Sequence, residues 1–286
     1  MRADRSEPRR MACAVRLVCL TLIPLLTGSQ ASGTDAPAKQ GKPAHDVVAT
    51  PGHRGNGMKT IGVIGGLGPQ ATMDFEQRVH RVAQRMIPPR YNSGYPPMIV
   101  VYHRRPPVLI NEDGTPRLPL TPDPGLVESV RAIGATADFL VILANLPHLF
   151  QPQIEQASGR KVLSMIDVTL DAVRTRGWKR VGVFGMGHPT VYTDRLAAMD
   201  IAAETLDPEQ IGPLDRAIIG LMEGRDTDAS RRLAHEAVAA LRARGVDGII
   251  LGCTELPLML GAAADAPDLL NPAQLLAEAA VARAIA

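Results

Sequence analysis

The fold is decided by residues 248–257, which read GIILGCTELP. The apolar run 248–251 predicts a short buried strand, and Thr254-Glu255 predicts the start of a helix. A strand that ends in Gly252-Cys253 places one thiol at the carboxyl edge of a sheet, where ligands of open α/β sheets bind. A helix N-terminus lowers the pKa of a nearby thiol, so Cys253 is expected to be a thiolate near neutral pH. The alternative is a small buried cysteine that only fills space in the core.

The folded part of the chain contains this strand-turn-helix pattern in duplicate. Residues 59–69 (KTIGVIGGLGP) align with residues 179–189 (KRVGVFGMGHP), and each is an apolar strand that runs into a Gly-rich turn. Residues 137–145 (ADFLVILAN) align in the same way with residues 246–254 (VDGIILGCT). The second pair of stretches makes Ala144 the counterpart of Cys253.

Helical patterns at residues 126–133 and 230–244 lie between the repeated strands. Strands that alternate with helices predict parallel sheets built from βαβ units. Two such units in tandem predict an α/β fold of two similar parallel-sheet domains, related by pseudo-twofold symmetry, with the active-site cleft between them. The duplication therefore places a thiol on one side of the cleft and a methyl group on the other.

The domain organisation follows from length and composition. A chain of 286 residues with 45% hydrophobic content can bury the cores of two domains. Residues 1–31 resemble a secretory signal peptide, and residues 32–57, which are rich in Ala, Gly, Pro and Lys, predict a disordered linker. The first α/β domain is expected at 58–160, together with a C-terminal helix at 271–286. The second α/β domain is expected at 161–261.

The amino-terminal segment also predicts the cellular compartment. A basic start, an apolar run and a small-x-small cleavage site indicate a periplasmic or secreted protein, with no stable membrane span after processing. Met58 opens the folded part so cleanly that it could be the true start of translation, in which case the protein is cytoplasmic.

Composition argues against several classes of partner. A formal net charge of +2 gives no electrostatic basis for binding nucleic acid, and 3% aromatic residues leave few platforms for stacked bases. The seven histidines are scattered and no Cys-x-x-Cys occurs, so no metal site is expected. The three cysteines are Cys13, Cys19 and Cys253, of which the first two lie in the predicted signal peptide, so no disulfide framework is expected.

Residues 66–71 (GLGPQA) fit the dinucleotide fingerprint G-x-G-x-x-G/A after a strand. The next strand ends near Tyr102-His103 without the acidic residue that would bind a ribose hydroxyl, and the duplicate turn at Gly185 does not complete the pattern. Nicotinamide or flavin binding is therefore not expected. Gly66 is expected instead to let backbone N–H groups approach a substrate carboxylate.

The chain from Met58 to its end resembles the aspartate/glutamate racemase superfamily. The matching stretches keep their order and are IGVIGGLGPQAT (61–72), ANLPH (144–148), SMID (164–167) and GCTEL (252–256). The resemblance implies a cofactor-independent amino-acid racemase whose two domains each supply one cysteine to the cleft. One thiolate removes the α-proton and the other thiol reprotonates the opposite face, which is why the chemistry needs two acid/base groups around one carbon.

The first of these two cysteines is missing from this sequence. The family motif Cys-Asn-Thr-Ala-His reads Ala144-Asn145-Leu146-Pro147-His148 here, and alanine cannot carry a proton. The resemblance implies that Cys253 is the remaining acid/base. His148 is a second candidate, because imidazole titrates near neutrality, and the alternative for it is a capping or supporting role.

The remaining predicted site residues would hold the substrate. The family's specificity loop reads YHRRPP at residues 102–107, where Arg104 or Arg105 either clamps a carboxylate or belongs to a solvated basic loop. Asn145 and Thr254 follow equivalent strands and are expected to bind the substrate carboxylate, with helix capping as the alternative. Thr190 follows the duplicate turn and is expected to contact the substrate. Glu255 is expected either to contact the substrate or to support its helix start.

Three functions stay open on the sequence. The first is an amino-acid racemase-type isomerase for aspartate- or glutamate-like acids, altered by Ala144. The second is a single-cysteine decarboxylase of the arylmalonate type, in which Cys253 protonates an enediolate; the low aromatic content weighs against it. The third is an exported, non-catalytic binding protein. The partner in each case is a small amino or carboxylic acid, and a homodimer is the default assembly.

Overall fold

The alternation of strands and helices in the sequence corresponds to two separate parallel sheets. The structure is a computed structural model that describes residues 57–112, 115–187 and 189–286. The predicted signal peptide and all but the last residue of the predicted linker lie outside these ranges. The strands are β1 (Ile61–Gly65), β2 (Met98–Tyr102), β3 (Phe139–Ile142), β4 (Arg180–Phe184), β5 (Ala202–Glu204), β6 (Gly248–Leu251) and β7 (Leu269–Leu270).

Helices connect these strands as the sequence pattern predicts. They are α1 (Pro69–Met86), α2 (Pro124–Gly134), α3 (Gln151–Ser158), α4 (Met165–Thr175), α5 (Thr190–Ala197), α6 (Pro208–Met222), α7 (Asp228–Ala243), α8 (Leu256–Leu260) and α9 (Pro272–Ile285), with 3₁₀ helices at Leu146–Phe150 and Gly261–Asp265. Side-chain oxygens accept hydrogen bonds from the first backbone N–H groups of several of these helices. The capping residues are Asp123 for α2, Ser164 for α4, Thr227 for α7 and Asn271 for α9.

The two sheets share one strand arrangement. The first sheet has the order β2-β1-β3, with β1 parallel to both neighbours, and the second has the order β5-β4-β6-β7, with β4 parallel to β5 and β6. The central strands β1 and β4 are the two stretches that the sequence repeat aligned, and β3 and β6 are the second aligned pair. The α/β class with parallel sheets is thereby confirmed, whereas the pseudo-twofold symmetry stays a prediction.

Helices cover both faces of each sheet, as a parallel sheet requires. Buried side chains of α1 and α9 pack on one face of the first sheet, and those of α2 and α3 pack on the other. In the second sheet, α6, α7 and α8 cover one face, and α4 and α5 cover the other. Because helices exclude water from both faces of each sheet, the strands are continuous apolar runs. Strand β3, Phe139–Ile142, is buried throughout.

The C-terminal helix α9 joins the two sheets. It packs against α1 beside the first sheet and against α4 beside the second. The described residues all belong to one compact unit. The predicted boundary between residues 160 and 161 therefore stays a prediction, although the placement of α9 agrees with the expected return of the chain to its first half.

The long Pro-rich loop after β2 contains two backbone bridges. Its two sides pair as an antiparallel arm through isolated bridges, Val108 with Pro122 and Ile110 with Pro116. The arm begins and ends at the carboxyl edge of the first sheet, where Asp123 caps α2. None of the helices in the described ranges is long and apolar enough to cross a membrane.

Candidate active site

The carboxyl edges of the two sheets meet, and the repeated strands place their end residues there. Ala144 lies two residues after the last residue of β3, and Cys253 lies two residues after the last residue of β6. Contact across the seam is close, because a Cβ added to Gly68 at the start of α1 would overlap Oε1 of Glu255. Cys253 and Glu255 therefore lie against the Gly-rich turn of the first sheet.

Cys253 and Glu255 form a hydrogen-bonded pair. The thiol Sγ donates to Oε2 of Glu255 at 3.0 Å, and the hydroxyl of Thr254 donates to the same oxygen at 3.1 Å. Glu255 is only 3% exposed, so its carboxylate receives these two hydrogen bonds in a largely dry environment. Two neighbouring donors on one oxygen make Glu255 the natural acceptor for the thiol proton.

The prediction that Cys253 is a thiolate near neutral pH is wrong. Burial, followed by the negative charge of Glu255 and the hydrogen bond to it, raises the pKa of the Cys253 thiol well above its ordinary value. Backbone N–H groups of Glu255 and Met186 act in the opposite direction but are outweighed. The helix that was expected to stabilise a thiolate, α8, spans only Leu256–Leu260, so its dipole is small. Cys253 is a thiol at neutral pH.

We expect iodoacetamide to alkylate Cys253 slowly at pH 7 and much faster only above pH 9, because the protonated thiol is a poor nucleophile. Glu255→Gln removes a negative charge that raises the thiol pKa, so its alkylation profile should shift to lower pH. Mass spectrometry of the Cys253 peptide measures the rate separately from Cys13 and Cys19. Glu278→Gln, on the exposed side of α9, is the matched control and should leave the profile unchanged. A wild-type thiol that reacts at pH 7 as fast as free cysteine would contradict the assignment.

Glu255 does not act as a helix cap. It is the residue before α8, yet its side chain makes no hydrogen bond to the first turn of that helix. Its two oxygens face the thiol and the start of α1 instead. Thr254 likewise bonds to Glu255 rather than to a helix end. Glu255 therefore contacts the Cys253 thiol directly, and Thr254 contacts the carboxylate that accepts from it.

His148 is held as a neutral structural group. Its Nδ1 lies 3.0 Å from the carbonyl of Ala144 and 3.2 Å from that of Asn145, and its Nε2 accepts the N–H of Met165 at 3.2 Å. An Nδ1–H tautomer satisfies all three contacts, and burial lowers the pKa of His148 to about 4. Both ring nitrogens are occupied by the backbone, which matches the capping alternative and leaves no nitrogen to replace the missing thiol.

Asn145 bridges the two halves of the chain. Its Nδ2 donates to the carbonyl of Gly252 at 2.8 Å, and its Oδ1 accepts from the hydroxyl of Tyr192 at 2.9 Å. It makes no side-chain cap to the 3₁₀ helix that follows it. One N–H of the amide stays available for a ligand, so a substrate contact and this bridge are compatible.

The backbone N–H of Gly66 stabilises the Gly-rich turn and is not free to bind an anion. Its φ of +78° lies in the left-handed region, and its N–H donates to Oγ1 of Thr72 at 2.9 Å. The hydroxyl of Thr72 in turn donates to the carbonyl of Gly68 at 3.0 Å. Thr72 thus fastens the Gly-rich turn to α1, and the N–H that was expected to face a substrate carboxylate is already used.

Arg104 and Thr190 are exposed side chains at the rim. The guanidinium of Arg104 stacks over the ring of Tyr102, 4.6 Å from its centroid, and Tyr102 donates to Glu76 at 2.9 Å. Thr190 is the first residue of α5. Both remain predicted substrate contacts. Within the described ranges, no group of three His, Cys, Asp or Glu side chains is arranged to hold a metal ion.

Three residues of this site carried no functional assignment from the sequence. They are Gly68, which makes room for Glu255, Thr72, which ties down the turn, and Tyr192, which bonds to Asn145. Thr72 was visible as the last residue of the matching stretch IGVIGGLGPQAT. Tyr192 carried a weaker signal, as one of few aromatic residues in the chain, directly after the duplicate turn.

Comparison with known proteins identifies the family. Residues 64–280 match the Asp/Glu/Hydantoin racemase family, and the chain belongs to it. A curated relative, the uncharacterized protein in the pnlA 3′ region of Pectobacterium carotovorum subsp. carotovorum, is 32% identical over 110 residues, which are 37% of this chain and 73% of that protein. The chain is therefore a member of a family of racemases of small amino or carboxylic acids.

Solved structures share the fold at low sequence identity. An aspartate racemase homologue from Pyrococcus horikoshii OT3 has a TM-score of 0.61 and 21% identity, covering 79% of this chain and 99% of its own. The aspartate racemase of Picrophilus torridus has a TM-score of 0.61 and 19% identity, with coverages of 79% and 94%. Glutamate racemase from Francisella tularensis, solved with D-glutamate, has a TM-score of 0.51 and 13% identity, with coverages of 78% and 80%.

Proposed function

We propose that the protein is a cofactor-independent enzyme that moves a proton at the α-carbon of a small aspartate- or glutamate-like acid, from one face only. The observation that carries the proposal is the pair of Cys253 Sγ and Glu255 Oε2, 3.0 Å apart, with Ala144 at the equivalent strand end of the other sheet. A racemase family and a single proton carrier together favour one-sided proton exchange.

The pair can cycle a proton without any further group. The thiol proton passes from Sγ of Cys253 to Oε2 of Glu255, and the thiolate takes the α-proton, which leaves a carbanion stabilised by the substrate carboxylate. While the carbanion is bound, the proton on Sγ exchanges with solvent. A solvent-derived proton or deuteron then passes from Sγ to the same face of the carbon, and Glu255 returns its own proton to sulfur, which restores the resting pair. Deuterium that enters the S–H group from solvent is delivered to carbon with retention of configuration.

The test incubates each single enantiomer of aspartate and glutamate with the protein in deuterium oxide. The α-proton signal in the NMR spectrum is expected to fade for at least one enantiomer, while chiral chromatography shows that the configuration is retained. Inversion as fast as exchange would require a second acid/base group and would refute the one-sided mechanism. Neither exchange nor inversion of any of the four compounds would refute action on these amino acids.

A protonated thiol also suits a second reaction. Because the pKa of Cys253 is raised, the thiol rests in the protonated form, which is the form that protonation of an enediolate after decarboxylation requires. Phenylmalonate is the probe for this alternative. Release of carbon dioxide that disappears in Cys253→Ala would favour a decarboxylase, whereas deuterium exchange into amino acids without such release favours the first proposal.

Binding without catalysis is the third proposal, and Ala144 is the observation that motivates it. An acidic ligand would then raise the melting temperature of Cys253→Ala as much as that of the wild type, with no exchange or decarboxylation in either. Turnover of any of the compounds above by the wild-type protein, lost in Cys253→Ala, would exclude a purely binding role.

A further inference from the structure

We infer that Tyr192 is a positioning residue for Cys253 and that it acts through Asn145. Asn145 follows β3 of the first sheet, whereas Tyr192 lies in α5 beside the second sheet. Gly252, which Asn145 also contacts, directly precedes Cys253. The inference rests on the proposed function only for its activity measurement, since the position of the thiol can be measured without a substrate.

The Asn145 amide is held at both ends by the second half of the chain. The Tyr192 hydroxyl donates to Oδ1 at 2.9 Å, and Nδ2 donates to the carbonyl of Gly252 at 2.8 Å. Tyr192 is fully buried, so its hydrogen bond has no competition from water. The Asn145 side chain, which follows β3 of the first sheet, is thereby held between α5 and the end of β6.

The donors and acceptors allow one arrangement only. The carbonyl of Gly252 can only accept, so the nitrogen of the Asn145 amide must face it and the oxygen must face Tyr192. Thr169, which also lies at the Tyr192 hydroxyl, donates its own proton to the carbonyl of Met165 at 2.8 Å. Burial raises the pKa of Tyr192, so its hydroxyl keeps the proton that Oδ1 accepts.

The backbone of Gly252 is confined on its other side by β4. Its N–H donates to the carbonyl of Phe184 at 2.7 Å, and a Cβ on Gly185 would lie only 2.6 Å from its carbonyl oxygen. Asn145 on one side and β4 on the other therefore hold the backbone of Gly252 in place. The next residue is Cys253, whose Sγ must lie 3.0 Å from Glu255 for the proton to pass.

Tyr192→Phe removes the hydrogen bond to Asn145 and is expected to weaken the bond from Asn145 to Gly252 as well. It leaves Oδ1 of Asn145 buried without a donor, which favours movement of the amide away from Gly252. The peptide that carries Cys253 then gains freedom, and the thiol is expected to spend less time against Glu255. A thiol that leaves a carboxylate and gains contact with water has a lower pKa and reacts faster.

The experiment measures alkylation of Cys253 by iodoacetamide across pH, by peptide mass spectrometry on the full chain. Tyr192→Phe and Asn145→Ala are each expected to raise the rate at pH 8 about threefold to tenfold, the factor that loss of one hydrogen bond produces. The double variant should react no faster than the faster single variant, because both substitutions break the same bridge. Tyr102→Phe, which loses a similar tyrosine hydrogen bond to Glu76, is the matched control and should react like wild type.

Effects that multiply in the double variant, an unchanged rate in Tyr192→Phe, or an equal response of Tyr102→Phe would each overturn the inference. A urea titration of every variant checks that it is folded at the start of the reaction. The rate of α-deuterium exchange in Tyr192→Phe should fall by a factor similar to the change in alkylation. Faster, non-additive alkylation in a protein that exchanges no substrate would support the positioning role of Tyr192 while refuting the proposed function.

Discussion

Cys253→Ala is expected to lower the rate of α-deuterium exchange by about 10²–10⁴-fold, the usual contribution of a positioned acid/base group. The reason is that neither Ala144 nor His148 offers a second acid/base group that could replace the thiol. Its counterpart on the first sheet is Ala144, and both nitrogens of the nearby imidazole of His148 are bound to backbone groups. Glu255 alone cannot take over, because it is directed at the sulfur and at the start of α1. NMR of the α-proton in deuterium oxide measures the loss.

The matched control for this substitution is the double variant Cys13→Ser/Cys19→Ser, which removes the other two thiols and should exchange at the wild-type rate. Cys253→Ser adds a second comparison, since a hydroxyl keeps the shape of the side chain but gives up its proton far less readily. Exchange that persists in Cys253→Ala within a factor of three of wild type would show that a different group moves the proton.

Gly66→Ala is expected to destabilise the fold by about 2–5 kcal/mol, from two costs that add. The φ of +78° costs an alanine about 1–2 kcal/mol. The new methyl group would also lie 2.6 Å from Cα of Tyr102 and 2.7 Å from N of His103, and overpacking costs about 1–3 kcal/mol. These neighbours are backbone atoms of the strand end, so no side-chain rotation relieves the overlap. Urea unfolding measures the change in free energy.

Gly159→Ala separates the two costs. Gly159 ends α3 with a φ of +65°, yet nothing lies within 4 Å of the position of its Cβ. Only the conformational cost of about 1–2 kcal/mol should remain there. If both substitutions destabilise the protein equally, the close approach of the turn to β2 has no energetic weight.

The architecture could be predicted from sequence because its signals are local. The apolar runs of β1, β4 and β6 end at Gly and that of β3 ends at Ala144-Asn145, and the repeat identified which of them correspond. The strands β5 and β7 have only three and two residues, so no period could identify them. The Pro-rich loop formed a paired arm because its two sides bond to each other, which composition does not encode.

The site was predicted less completely, because its chemistry depends on contacts between distant residues. The location of Cys253 at a strand end was local information, whereas its protonation depends on burial and on the direction of the Glu255 carboxylate. The partner of His148 is the N–H of Met165, a residue in another helix. Asn145 was predicted to be a site residue, but its bond to Tyr192 joins two halves whose relative placement no sequence pattern specifies.

The packing of Glu255 against Gly68 has a consequence for mutagenesis. A side chain at position 68 would occupy the space of the carboxylate, so the Glu255 side chain would have to turn aside to admit it. Its Oε2 would then lose the position in which it accepts the hydrogen bond of the Cys253 thiol. Substitution of a glycine that carries no reactive group is therefore expected to reach the thiol through its hydrogen-bond partner.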